Sequence, residues 1–388
     1  MLAIINGRVI TMTGKEYEKG TILTDGQKIA KVGSNISIPE GAEVIDAAGK
    51  IVMPGLIDAH CHVGILEEVY RQEGNDVNES TEPVTPHLRA IDGINPEDLG
   101  FQDALEGGVT TVVTGPGSGN VIGGENLAMK TFGRVVDEMV IKNPIGLKVA
   151  FGENPKRVYG SQSKMPMTRM ATAALFREAL VKAENYMAKM ERQRQKTEEA
   201  FFERDLKMEV LCKVLKREIP IRAHAHRADD IMTAIRIAEE FNLKIIIEHC
   251  TEGYKVADQL AKRGIPAVVG PFLTNRSKVE LKDRTLANPY FLAKAGVKIA
   301  FMTDHPVIPI NYLALSAALA VREGLDEQEA MKALTVNAAQ ILGLQDRIGT
   351  LEPGKDADII ILNGPLFELK TRVEKVIVAG KIINLDSK

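Results

Sequence analysis

The sequence predicts an α/β fold in which a (β/α)8 barrel fills the middle of the chain and short β-type runs occupy both ends. Three observations carry that expectation. From about residue 55 to 345, apolar strands alternate with helical stretches, the pattern of a parallel sheet covered on its faces. Outside that span the apolar runs are short and punctuated by glycine. Within it, rare polar residues sit at the C-terminal ends of strands, where barrel active sites lie.

The amino-terminal runs are "LAIINGRVIT", "GTILTDGQKIAKVGS" and "AEVIDAAGKIVMPG". Breaks at Asn6-Gly7, Asp25-Gly26 and Gly49-Lys50 favour hairpins, so a small antiparallel unit is expected. Similar texture returns in "LEPGKDADIIILNG" and "VEKVIVAGKIIN". Residues 1–54 and 346–388 are therefore read as one β domain and residues 55–345 as the barrel inserted between them, although periodicity does not say which strands pair. The eight barrel strands are "GLIDAHCHV", "GVTTVVT", "NLAMKTFG", "IGLKVAFG", "IPIRAHAH", "LKIIIEHC", "IPAVVG" and "VKIAFMTDH". Amphipathic helices such as "ADDIMTAIRIAEEFN" and "NPYFLAKAG" follow several of them, and the charge-rich block 168–219 reads as a solvated helical hairpin.

Composition narrows the function. A net charge of −3, from 49 basic and 52 acidic residues, provides no basic field for nucleic acid or anionic lipid. No apolar run approaches the roughly 18 to 20 residues of a membrane span. Three scattered cysteines (Cys61, Cys212, Cys250) do not make a disulfide framework, and "MLAIINGRVITM" lacks the features of a signal peptide. A cytoplasmic protein acting on a small molecule, without nucleic-acid or membrane partners and as a homo-oligomer, is the expectation.

Five of the seven histidines fall at predicted strand ends: His60 and His62 on the first strand, His224 and His226 on the fifth, His249 on the sixth. Lys148 on the fourth strand and Asp304 on the eighth join them. Imidazole and carboxylate without converging thiolates suit Zn²⁺ or another first-row divalent cation, with iron, manganese and nickel as further options. Side chains two apart on a strand share a face, so His60 and His62 are presented together while Cys61 turns into the core. An apolar-strand lysine usually snorkels or pairs with a carboxylate. A desolvated Lys148 could instead be neutral and take up CO₂ as a carbamate bridging two cations, with Glu153 as the alternative bridge. Lys156, Arg157, Tyr159, Arg227 and Asn275 follow strands and either grip a substrate carboxylate or are solvated loop residues. The run "GPGSGNVIGG" lacks GxGxxG spacing and reads as a flexible loop beside the site.

Taken together, "PGLIDAHCHVG", "GVTTVV", "HAHRADDI", "IIIEHCTEG", "FMTDHP" and "LTVNAAQILGLQDRIGTLEPGKDADIIIL" resemble the metal-dependent amidohydrolase superfamily, most closely its imidazolonepropionase-like and cyclic-amidase branches. The resemblance implies a barrel flanked by a β-sandwich made from both termini, and hydrolysis of an amide or cyclic amide by metal-activated water. It implies that His60, His62, His224, His249 and Asp304 are metal ligands, and that Lys148 is the carbamylated lysine of two-metal members. Asp304 and His249 are then the catalytic pair, in a site with one or two ions, two being favoured. His226 departs from the family pattern and is assigned to substrate or to a ligand position. The rival readings are a deaminase, disfavoured because Arg227 replaces the acid expected after the fifth-strand histidine, and a non-catalytic scaffold.

Overall fold

The computed structural model describes residues 1–69, 72–194 and 202–385. Five strands open the chain: β1 (Leu2–Ile10), β2 (Glu16–Asp25), β3 (Lys28–Gly33), β4 (Glu43–Asp46) and β5 (Ile51–Pro54). The barrel sheet follows with β6 (Leu56–Cys61), β7 (Val109–Thr114), β8 (Ile122–Lys130), β9 (Val140–Ala150), β10 (Ile221–Ala225), β11 (Ile245–His249), β12 (Ala267–Val269) and β13 (Ile299–Phe301). The chain then returns to the first sheet with β14 (Ile359–Leu362), β15 (Val373–Val378) and β16 (Lys381–Ile383).

Both ends do share one sheet, in the order β16-β15-β14-β5-β1-β2-β3, with β4 also on β1. The seam is β14 antiparallel to β5, which registers Ile360 against Met53. The antiparallel expectation needs correction, because β4 and β5 both run parallel to β1. Of the expected hairpins, Asp25-Gly26 is one, closing β2 onto β3. Asn6-Gly7 is instead an irregularity inside β1: Asn6 has φ +62°, and the pairing with β2 shifts register between Ile4 and Gly7.

All eight expected barrel strands form, in sequence order, in one nearly closed sheet. Its first and last strands are tied by His62 N–H to His305 O (2.9 Å), by Asp304 N–H to His60 O (3.2 Å), and by Thr303 donating its N–H and hydroxyl to the buried Asp58 carboxylate. The all-parallel expectation fails at one strand: β8 is antiparallel to both β7 and β9. Only residues 115–121 separate β7 from β8, fewer than the dozen or so that a parallel crossover needs.

Helices Arg169–Arg194 and Leu206–Leu215 form the pair expected in the charged block, whose residues 195–201 lie outside the described residues. Phe176, Leu180, Leu211 and Val214 bury the inner face of this pair in the main core. At the barrel end remote from the histidines, Lys130 joins the terminal sheet through ion pairs to Asp358 and to Asp356 (3.0 Å). Asp356 also faces Lys28 (2.7 Å) and Arg347 (2.8 Å). Among the described residues no helix is long and apolar enough to cross a membrane.

Candidate active site

Two groups of ligand-type side chains meet at the C-terminal ends of the barrel strands: His60, His62 and Asp304, and His224, His226 and His249. Within each group the donor atoms all lie within 4.8 Å of one another. Strand alternation builds most of this. On β10, Ile221, Ala223 and Ala225 enter the apolar core, so Arg222 and His224, followed by His226, turn the other way. On β6 the same logic sends Cys61 into the core and brings the His60 and His62 rings to 5.1 Å.

Alternation alone would send His249 outward with Ile245 and Ile247. His249 has φ +65° instead, and its ring lies 4.2 Å from that of His224 and 4.6 Å from that of His226. Asp304 is likewise left-handed, at φ +57°. Strained backbone at non-glycine residues persists only where surrounding structure holds it, and it concentrates at functional sites.

In the first group, Asp304 Oδ1 is 3.1 Å from His60 Nε2 and 3.3 Å from His62 Nε2. His62 donates from Nδ1 to the Gly115 carbonyl at 2.7 Å, which turns Nε2 toward Asp304. A side chain at Gly115 would collide with Asn126, so the glycine-rich loop contributes a close backbone approach. His60 Nδ1 faces Glu248 Oε1 at 3.2 Å. Glu248 is fully buried and also accepts from Arg222 Nε (2.7 Å) and Lys148 Nζ (2.5 Å). Lys148 Nζ lies 3.5 Å from His60 Nε2.

Electrostatics separates the groups. Burial would lower the His60 pKa, but the Glu248 charge together with hydrogen bonds to Asp304 and Glu248 raises it. Burial would raise Asp304, yet its contacts with His60 and His62 hold it well below the usual carboxylate range. The same reversal at Glu248 comes from His60, Lys148 and Arg222. In the second group burial dominates: His226 is pushed down to about 3, and His224 and His249 are held well below the imidazole range. These rings are therefore neutral, and His224 Nδ1, His249 Nδ1 and His226 Nε2 are buried without hydrogen-bond partners. Orphaned neutral imidazole nitrogens beside an ionised carboxylate are donors of the type that could hold a divalent cation.

The other sequence-selected residues lie apart from this centre. Tyr159 is buried, its hydroxyl within 3.1 Å of the carbonyls of Glu79 and Glu82 and 3.0 Å from Asn120 Oδ1. Arg227 forks onto Asp229 with both contacts at 2.9 Å, and Arg157 and Asn275 are exposed. Glu153 faces Glu280: the Glu153 N–H donates to the Glu280 carboxylate at 3.0 Å, and the Glu280 N–H donates to the Glu153 carboxylate at 3.5 Å. His305 accepts from the Ile310 N–H at 3.2 Å. Sequence reading missed Glu248 and Arg222, although a charged residue inside "IIIEHC" and "IPIRAH" is the same signal that selected Lys148. It also missed Glu280, whose carboxylate lies 3.6 Å from His226 Nε2 and has no periodic pattern to mark it.

Residues 51–383 match the amidohydrolase family. An amidohydrolase crystal structure from Thermotoga maritima superposes with a TM-score of 0.96 at 48% identity, over 99% of this chain and 100% of that one. The amidohydrolase tasK of Hapsidospora irregularis is 29% identical over 367 residues, which are 88% of this chain; the chain spans only 37% of that protein's length. An imidazolonepropionase of Mesorhizobium japonicum is 26% identical over 378 residues, 89% of this chain and 86% of that protein.

Proposed function

The chain belongs to the amidohydrolase family, and we propose that it hydrolyses the C–N bond of an amide or cyclic amide with water activated at the buried histidines. The observation that carries this reading is the placement of Asp304, its Oδ1 3.1 and 3.3 Å from two imidazole nitrogens and beside a second, all-imidazole group. The donors fit Zn²⁺ or a similar divalent ion, held by His60, His62 and Asp304 and, where a second is present, by His224, His249 and His226. When bound, such an ion lowers the pKa of water from about 15.7 toward 7 and polarises a carbonyl.

Asp304 orients the attacking water, takes its proton on a carboxylate oxygen, and delivers that proton to the leaving nitrogen as the C–N bond breaks. Where a single ion is bound, the carbonyl oxygen, as it gains charge, accepts a hydrogen bond from His249 or His226, which are then free of metal. Where two ions are held, Lys148 as a carbamate would be the ligand they share. The 2.5 Å contact of Lys148 with Glu248 favours a second reading, in which Lys148 keeps this ion pair unmodified and a single ion is held. Carbon NMR under ¹³CO₂ separates them: a carbamate signal lost in Lys148→Arg supports the first, and no signal supports the second.

Metal-loaded and chelator-stripped protein should be compared against N-acyl amino acids, dipeptides, hydantoins and lactams. The proposal expects hydrolysis that disappears on stripping and returns with Zn²⁺. Ammonia release from a nucleobase panel, with no amide turned over, would replace the proposal with the deaminase reading.

A further inference from the structure

A cavity of about 170 Å³ opens from His226, His249 and Asp304 and is walled by the segment between β12 and β13. Phe272, Leu281 and Leu286 give it an apolar wall. Two cations line it in unlike circumstances. Lys278 is matched, its Nζ 3.4 Å from the buried Glu280 carboxylate. Arg284 is not matched: Nη1 donates to the Phe272 carbonyl at 3.1 Å, while Nε is buried with no partner. Among the described residues no carboxylate pairs with Arg284, and burial together with the neighbouring Arg276 pushes its pKa down, as it does for a cation without a compensating anion.

An unpaired buried guanidinium N–H is costly, and the guanidinium fork matches a carboxylate in size and geometry. We propose that Arg284 receives a carboxylate of the substrate, so that the molecule hydrolysed carries an acid group beside an apolar side chain, with its amide toward Asp304. The small cavity suits a body about the size of one amino-acid residue. The amide portion of this assignment rests on the hydrolase reading above, whereas the acid subsite does not.

The test uses zinc-loaded protein and N-methanesulfonyl derivatives of L-leucine, L-phenylalanine and L-proline, each as the free acid and as the carboxamide; the sulfonamide bond resists hydrolysis, so calorimetry reads binding alone. At least one acid should bind about ten-fold or more tightly than its carboxamide. Arg284→Gln, which keeps a donor for the Phe272 carbonyl, should bring the pair to within about two-fold, and Arg284→Lys should fall between. Parity of every acid with its carboxamide in the wild type, or an undiminished acid preference in Arg284→Gln, would overturn the proposal. Acid preference without hydrolysis of any amide would leave the Arg284 subsite standing and remove the hydrolase reading; hydrolysis without acid preference would do the reverse.

Discussion

The two groups of ligand-type side chains at the barrel mouth share residue types but differ in what stands behind them. His60, His62 and Asp304 include an ionised carboxylate, and they are backed by Glu248, itself held by Arg222 and Lys148. His224, His226 and His249 contain no carboxylate, and three of their ring nitrogens, Nδ1 of His224 and His249 and Nε2 of His226, are buried with no hydrogen-bond partner. The first group is a charge-compensated arrangement whose ring orientation is fixed by a carboxylate and a backbone carbonyl. The second is neutral and less constrained. Proximity of histidines alone therefore does not define equivalent sites; the groups around them decide which one is built to carry charge.

Breaking the first group should give the largest effect. Asp304→Asn removes both the proton acceptor and a ligand oxygen, and kcat for a hydrolysed amide should fall by about 10³-fold. Metal analysis of the same protein separates lost chemistry from lost metal, and full turnover in this variant would remove Asp304 from the mechanism.

Glu248→Gln should rank next. It loosens His60 and should weaken zinc affinity about 10- to 100-fold, as loss of a carboxylate behind a ligating histidine does. It also leaves Arg222 and Lys148 facing a neutral amide in a dry interior, at a cost to stability of about 3–5 kcal/mol. Zinc titration and urea unfolding read the two effects separately; unchanged affinity would mean that Glu248 supports the fold and not the ligand.

The pH response should distinguish the groups by sign. His226 has a folded pKa of about 3, below the unfolded value of about 6.5, so the unfolded chain binds the proton first. Its contribution is complete above about pH 6.5 and is lost as pH falls toward 3, at about 1.4 kcal/mol per pH unit for one such group. His60, raised instead, contributes below the unfolded pKa and loses that contribution as pH rises through its folded value. In demetallated protein, unfolding free energy should fall less steeply between pH 6.5 and 4.5 in His226→Gln than in wild type. Parallel profiles would show that this ring is not held neutral. The smallest effect belongs to Arg157→Ala, an exposed change expected to alter stability by no more than about 0.5 kcal/mol.

What could be read from sequence follows the reach of local rules. Two-residue alternation and strand-end position were enough to bring His60, His62, His224 and Asp304 to one mouth, because both are properties of a single strand. The reversal of β8 was not legible, because the sequence pattern starts the third strand at Asn126, which leaves residues 115–125 between strands, close to the dozen or so that a crossover needs, whereas β8 starts at Ile122. Asn6-Gly7 misled because a positive φ serves a bulge as well as a turn. The inward turn of His249 and the isolation of Arg284 needed three dimensions: left-handed backbone brings the first to His224 and His226, and the second matters because, among the described residues, no carboxylate reaches it. Absence of a partner across the fold leaves no mark in a linear pattern.

The central claim is that both histidine groups bind divalent cations at the barrel mouth, the carboxylate group more tightly. Calorimetric titration of demetallated protein with Zn²⁺ tests it directly. The account predicts a tight phase abolished by His60→Gln with His62→Gln, and a weaker phase abolished by His224→Gln with His249→Gln. Absence of saturable binding, or binding indifferent to all four substitutions, would contradict it.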